Sequence, residues 1–413
     1  MKILVVVDSI NKEDSSGSKA NVALIQNLFE AGFDVMVYHY TLKTIELAGV
    51  SCFAIPEIKY SLLYFLSRLQ RVLARKFNWN LMPFFEKRFG FSFTFFNDTK
   101  SIVKALKKNT FQPDLVLTLS KGASFRPHYA VLKLPKWHGK WMAYVHDPYP
   151  FHVYPRPYSW IEPGYSIKEA FIKNVSIKAK YSGFPSHLLK DWMGEYFSNF
   201  DKTGIVIPHQ NSKFKSNLST CPDYFDVTQF NLLHAGNLLA QRSPRGLIEG
   251  FQLFLSNNCE ARKNSKLLLI GLASYHSKML EAYNKDIPEL YVHNGYVPFD
   301  LVYYLQMNTS VNVILESKAI ISPFLPAKFP HCVESNKPIL SLAPYYSETR
   351  RLLGNEYPYW SEVDDIEKIS FLIGELYHLW RQKPANLLLN RKDLEEYLSV
   401  DYLKTVILGL QNK

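Results

Sequence analysis

FNLLHAGNLLAQRSPRGLIEGF (230–251) decides the fold. Its first six residues form a near-continuous apolar run, the length and pattern of a strand covered on both faces. Gly236 ends the run, and a short polar loop carrying Arg242 follows. Ser243 can cap a helix with Pro244 at its first position, and Leu247, Phe251 and Leu255 then recur at helical spacing. Strand, glycine loop and helix make the repeating unit of a doubly wound α/β sheet, in which ligands collect beyond the carboxyl ends of the strands. A guanidinium beside a helix N-terminus favours a diphosphate. An exposed loop arginine is the plain alternative.

The alternation continues in both directions. KLLLIG (266–271), LYVHNG (290–295), VNVIL (311–315) and PILSLA (338–343) are further strands toward the C-terminus. Toward the N-terminus stand KILVVV (2–7), a helix over 19–31 closed by Gly32, FDVMVY (33–38), PDLVLTL (113–119), WMAYV (141–145) and GIVI (204–207). A polar, period-free stretch lies between the two series. The expected organisation is an N-terminal domain over 1–210, a linker over 211–229 and a C-terminal domain over 230–390. Helix follows over 391–413, with a return to the N-terminal domain left open. Two Rossmann-like α/β domains in tandem fit this pattern.

The 413 residues are 47% hydrophobic and 21% charged, a composition that excludes extended disorder. Cys52, Cys221, Cys259 and Cys332 stand far apart without a CxxC pair, which favours reduced thiols over a zinc site or disulfides. No run approaches the roughly 18–20 apolar residues of a spanning helix, and MKILVVVDS is too short for a secretory signal. The net charge of +11 is unevenly placed. Residues 1–200 hold 26 Lys and Arg against 15 Asp and Glu, whereas 201–413 hold 22 of each. With no recognised nucleic-acid motif, that excess suits an anionic membrane or phosphate better. Much of it sits in 59–96, where Lys59, Arg68, Arg71, Arg75, Lys76, Lys87 and Arg88 face one acid, Glu86. Leu62, Leu66, Leu69 and Leu73 fall at helical spacing there, with Phe77 and Trp79 beyond, so a basic amphipathic helix could lie on an anionic bilayer. Packing of that stripe on its own domain is the alternative.

Three further constellations could carry chemistry. The polar loop and helix start of 8–25 contain Gly17, which would let a ligand approach the backbone. WMAYV runs directly into His146 and Asp147. In 322–340, Ser322, Pro323, Phe324, Leu325 and Pro326 form a rigid run. Lys328, His331 and Glu334 then follow at a three-residue spacing that shares one helix face.

HAGNLL…R-SP, LLLIG, NGYVPFDLVYYL and SPFLPAKFPHCVESNKPIL, in that order, resemble the donor half of GT-B glycosyltransferases, especially the retaining family 4 type. The start MKILVVVD…GSKANVALIQNLFEAGFDVMVY resembles their acceptor domain. The resemblance implies two Rossmann-like domains facing a cleft and a metal-independent, retaining transfer from a nucleotide sugar, with UDP the expected carrier, to a saccharide or lipid-linked acceptor in cell-surface glycan synthesis. It implies no cofactor, a bacterial source and a cytoplasmic enzyme peripheral on the inner face of the membrane. The donor-binding set would be Gly17, Gly236, Asn237, Arg242, Gly271, Tyr296, Val297, Ser322, Phe324, Leu325, Pro326, Lys328, His331 and Glu334. Arg242, Lys328 and the helix N-terminus after Pro326 would stabilise the departing diphosphate. His146 and Asp147 would be catalytic, and Arg68, Arg71, Arg75 and Lys76 would face the membrane and acceptor. The sequence departs from the family at three places. Asn237 stands where many members carry an arginine, Pro323 where the first glutamate of an E-x7-E pattern falls, and His331 where the second does. Asn237 and His331 keep open a catalytically inactive GT-B subunit docked at the membrane, and a GT-B sugar-nucleotide epimerase, with only His146 and Asp147 as its acid and base, is the other alternative.

Overall fold

The computed structural model describes residues 1–211 and 221–412. Part of the expected linker, 212–220, therefore lies outside the described residues. The chain divides into two compact units, Met1–Tyr154 with Ser159–Ser212 and Val400–Lys413, and Pro155–Tyr158 with Lys213–Ser399.

The first unit is built on seven strands, β1 Lys2–Val7, β2 Asp34–His39, β3 Ser51–Ala54, β4 Leu115–Leu119, β5 Trp141–Tyr144, β6 Tyr181–Phe184 and β7 Gly204–Val206. They pair in the order β3-β2-β1-β4-β5-β6-β7, every pair parallel. Central β4 and β5 are buried at every position, as continuous apolar runs under helices on both faces should be. Val5, Val7, Leu28, Leu117 and Tyr144 pack on one side with Leu403, Ile407 and Leu410 from the C-terminal helix Val400–Gly409 and the turn after it. The Tyr181 hydroxyl donates to the Leu410 carbonyl at 2.6 Å.

The second unit repeats the plan with β8 Phe230–Ala235, β9 Ser265–Ile270, β10 Leu290–His293, β11 Val311–Leu315, β12 Ile321–Ser322, β13 Ile339–Leu342, β14 Tyr346–Ser347 and β15 Trp360–Ser361. Six of them form a parallel sheet in the order β10-β9-β8-β11-β13-β15, and β12 pairs with β14 alone. Both large sheets begin at an interior strand, wind to one edge and then restart on the other side. Each therefore has a switch point, between β1 and β4 in one and between β8 and β11 in the other, where loops diverge and leave a crevice.

The strands expected from the sequence are present, while the expected helix start at 243–244 moves. The helix begins at Arg245 with Pro244 as its cap, and the Ser243 hydroxyl accepts only the Arg245 N–H, at 3.3 Å. No helix among the described residues is long and apolar enough to cross a membrane.

Candidate functional site

At the β8–β11 switch point the residues converge on Gly236. A Cβ built on Gly236 would stand 2.8 Å from Lys328 Nζ, so a side chain there would push the end of the lysine aside. Gly271, at the end of β9, holds φ +139° and presses on the Gly236 carbonyl, where a Cβ would come within 2.7 Å. Only glycine fits both the backbone and the space at 271. Asn237 fastens the same corner, its Oδ1 accepting the Leu272 N–H at 3.1 Å and its carbonyl accepting Arg242 Nη1 at 3.2 Å.

Two cations and an imidazole share this corner. Lys328 Nζ lies 3.2 Å from Nδ1 of His234, which is fully buried in β8. Burial and then the nearby Arg242 guanidinium push the Lys328 ammonium down to about 7. Burial also takes His234 well below the usual imidazole range, with Lys328 and Arg242 adding to it. His234 is therefore neutral at pH 7. Glu316, just past β11, is buried with one oxygen accepting from Ser322 and the other from Thr349 at 2.7 Å, while burial raises its carboxyl. Its two oxygens accept from hydroxyls, and its charge acts on both Arg242 and Lys328, so the corner sets two cationic side chains against one carboxylate. Such a site attracts an anion.

Sequence reasoning did not single out His234 or Glu316. His234 hides in an apolar strand pattern, and its signal was a lone imidazole inside a run meant for both faces of a sheet. Glu316 lies seven residues before Pro323, upstream of the glutamate position the resemblance implied.

The remaining second-unit positions are distributed around this corner. Ser322 reaches Glu316, Leu325 is buried, and Phe324 meets the Tyr158 ring edge-on at 5.9 Å. Tyr296 is 54% exposed and Val297 buried. Of the shared face expected for Lys328, His331 and Glu334, the last two stand side by side and Lys328 leaves it. Lys328 caps the six-residue helix Phe329–Glu334 and turns to His234, whereas Glu334 receives the Tyr303 hydroxyl at 3.1 Å and lies 3.5 Å from His331 Nδ1. His331 is boxed edge-on by Phe299 and Tyr303. The Phe329 N–H at this helix start donates to the Pro326 carbonyl at 2.8 Å.

The first unit has its own polar end at the β1–β4 switch point. His146, directly beyond Val145, is 7% exposed, and its Nε2 donates to Asn21 Oδ1 at 2.6 Å. The Asn21 amide in turn donates to the Ser120 carbonyl at 3.0 Å, which fixes its orientation and puts the His146 proton on Nε2. Nδ1 is left as a buried lone pair without a partner among the described residues. Burial, with His209 stacked 5.5 Å away, keeps His146 neutral. Asp147 is held up to about 6 by burial alone. Asp8, at the end of β1, accepts from Ser124 and lies 3.8 Å from Arg126, which also meets Asp98 at 2.8 Å. Gly17 sits in the first turn of the helix Ser16–Glu30. A Cβ there would meet only ordinary contacts at 3.8 Å, so its surroundings do not require glycine.

The basic segment forms two helices, Leu62–Phe77 and Met82–Phe89. Of the expected stripe, Leu66 and Leu73 are partly buried while Leu62 and Leu69 face out. Phe65 and Val72 join the outer pair, giving an exposed stripe of Leu62, Phe65, Leu69 and Val72 at helical spacing. Ser67 is the only buried residue of the first helix. Arg68, Arg71, Arg75 and Lys76 are exposed, and Arg68 reaches Glu57 at 3.3 Å. Phe77, Trp79, Met82, Phe84 and Phe89 extend the exposed apolar surface.

No family model and no curated protein sequence matches the chain. Among solved structures it is similar to a glycosyltransferase from Rickettsia africae ESF-5, at 13% identity and TM-score 0.61, covering 99% of this chain and 97% of that one. It is also similar to a trehalose-6-phosphate protein from E. coli bound with UDP-2-fluoro glucose (10%, TM-score 0.64, coverage 99% and 98%). Anabaena Alr3699/HepE in complex with UDP-glucose is a third (10%, TM-score 0.62, coverage 100% of both). Likeness at such low identity carries the architecture. The fold is GT-B, two Rossmann-like α/β domains in one chain.

Proposed function

We propose that the protein is a glycosyltransferase that binds a UDP-linked sugar at the β8–β11 switch point and passes the sugar to a saccharide or lipid-linked acceptor held by the first unit. The observation that carries this reading is the pairing of Lys328 and Arg242 around Gly236, where Glu316 is already engaged by Ser322 and Thr349. A nucleoside diphosphate adds negative charge beyond what the one carboxylate, Glu316, supplies to the two cationic side chains. Sugar nucleotides in two similar structures make it the first ligand to try. As the bond from the sugar to the diphosphate breaks, charge grows on the leaving oxygens, and fixed cations stabilise it more than they stabilise the intact donor.

His146 enters this chemistry as a neutral group. Its buried Nδ1 can accept a hydrogen bond but holds no proton to give at pH 7. Asp147, held up to about 6 by burial, titrates closer to neutral pH than an ordinary carboxyl. The proposal includes a retaining, metal-independent reaction and a peripheral membrane enzyme of glycan synthesis. The exposed stripe of Leu62, Phe65, Leu69 and Val72 beside Arg68, Arg71 and Arg75 supports the membrane part, because it pairs apolar surface with cations as an anionic bilayer requires.

The test is a thermal-shift screen of UDP, GDP, ADP and their sugars, followed by transfer and donor-hydrolysis assays. Stabilisation by UDP compounds together with turnover is expected. Arg242→Ala should lower turnover by about 10²–10³-fold, as lost transition-state donors do, with little change in melting. A second reading, an inactive GT-B subunit, is favoured by one arrangement. Asn237 and Glu334 are spent on Leu272, Tyr303 and His331, not left open to a ligand. UDP binding without turnover would select it.

A further inference from the structure

Resting on the UDP-donor reading, we propose that His234 is a positioning residue for Lys328, and that the pair takes up a proton when the donor diphosphate arrives. The argument begins with one nitrogen. His234 Nδ1 stands 3.2 Å from the Val313 carbonyl oxygen and 3.2 Å from Lys328 Nζ. A single ring nitrogen cannot serve both contacts in the same way. With the proton on Nδ1, the ring donates to Val313, and a charged Lys328, which can only donate, finds no acceptor there. With the proton on Nε2, Nδ1 accepts from the ammonium, the Val313 bond is lost and Nε2–H lies buried. Nε2 has no partner among the described residues in either case. The two tautomers therefore correspond to the two states of Lys328, neutral and charged.

The groups around Lys328 set the balance between those states. His234 comes from β8, Arg242 from the loop beyond it, Glu316 from the end of β11 and Cys332 from the helix that Lys328 caps. Arg242 opposes charging, Glu316 and Cys332 favour it only weakly against burial, and the ammonium is held down to about 7. A diphosphate against Arg242 and Lys328 reverses that balance. Lys328 binds a proton from solvent, the imidazole proton shifts to Nε2, and Nδ1 accepts from the new ammonium. Gly236 keeps the Nζ in place by leaving the space beside it open. Donor affinity then falls as pH rises above about 7, because the proton must be drawn from a thinner supply.

Calorimetry of UDP binding at pH 8, in two buffers of different ionisation enthalpy, reads the proton directly. The nucleotide's phosphates are already ionised there, so uptake approaching one proton per UDP is expected from Lys328. His234→Leu should weaken UDP binding about tenfold and remove most of the uptake, and His234→Asn should recover affinity, since its amide can donate to Val313 and accept from Lys328 together. Wild-type protein that binds UDP with no buffer dependence overturns the coupling and leaves the donor site standing. Protein that does not bind UDP overturns both. If His234→Leu fails to fold, the wild-type measurement and His234→Asn decide. A folded His234→Leu with unchanged affinity and uptake also overturns the proposal.

Discussion

At the scale of single residues, the site holds charge where folding alone would not put it. Lys328 has a native pKa near 7 against an ordinary 10.5, so between those values the unfolded chain binds more protons and stability rises with pH. Below about 7 the burial penalty is fully present. Lys328→Met should therefore raise stability at pH 6–7, by an amount of order 1 kcal/mol, while abolishing the UDP-induced thermal shift. A less stable variant that still responds to UDP would take Lys328 out of the site. Asp147 runs the other way. Its carboxyl is held up to about 6, so it is ionised only above that value, and the native state binds more protons than the unfolded chain between about 4 and 6. If its ionised form supports transfer, kcat/KM rises through pH 6, and Asp147→Asn removes that rise. Asp98 is also held near 6, but Arg126 and Tyr40 occupy it, so a rise that survives in Asp147→Asn would point there. Part of the corner around Gly236 was legible in the sequence as a grouping of residues. Arg242, Gly236 and Lys328 could be named because loop position and residue type mark them as candidates, and the structure brings Gly236 and Lys328 together. His234 and Glu316 could not, because contacts across 79 to 94 residues, such as His234 with Val313 and Lys328, leave no local pattern.

At the scale of elements, most strands of the two large sheets were legible, and β3 and β6 were not. KILVVV and FNLLHA declare themselves by continuous burial, whereas β3 Ser51–Ala54 is mostly exposed at a sheet edge and β6 Tyr181–Phe184 has only four residues with a serine and a glycine among them. The helix Leu62–Phe77 was legible as amphipathic, but which apolar residues point outward depended on what it packs against. Its outer stripe leads to two separable expectations. Arg68, Arg71, Arg75 and Lys76 all changed to Gln should release the protein from anionic vesicles, as should high salt, since each cation near such a surface is worth about 1 kcal/mol and is screened. Phe65, Leu69 and Val72 changed to Ser should weaken binding at any salt while leaving the melting temperature nearly unchanged, because those side chains are already exposed. Flotation of the variants with vesicles of defined composition checks both. Equal binding of the wild type to neutral and anionic vesicles would reduce this segment to surface decoration of its own unit.

At the scale of the whole chain, one fold plan is used twice with different side chains at each switch point, Lys328 and Arg242 with the neutral His234 near Gly236, and the neutral His146 with Asn21 and His209 at the other. The tandem plan was legible because each strand–loop–helix unit is local. The placement of the C-terminal helix was not, since a helix with no strand after it carries no mark of the sheet it will cover. It covers the first: Leu403, Ile407 and Leu410 sit in the core beside Val5 and Val7, nearly 400 residues away in the chain. Leu403 is wholly buried, so Leu403→Ala should cost about 2–5 kcal/mol, and the loss should fall on the first unit. Differential scanning calorimetry with and without UDP separates the units, because the ligand raises only the transition of the unit that binds it. The expected result is a lowered transition that UDP does not move, beside a UDP-responsive one at its wild-type temperature. If Leu403→Ala instead lowers the UDP-responsive transition, the donor site and the C-terminal helix share one cooperative unit, and the assignment of nucleotide binding to the second sheet alone fails.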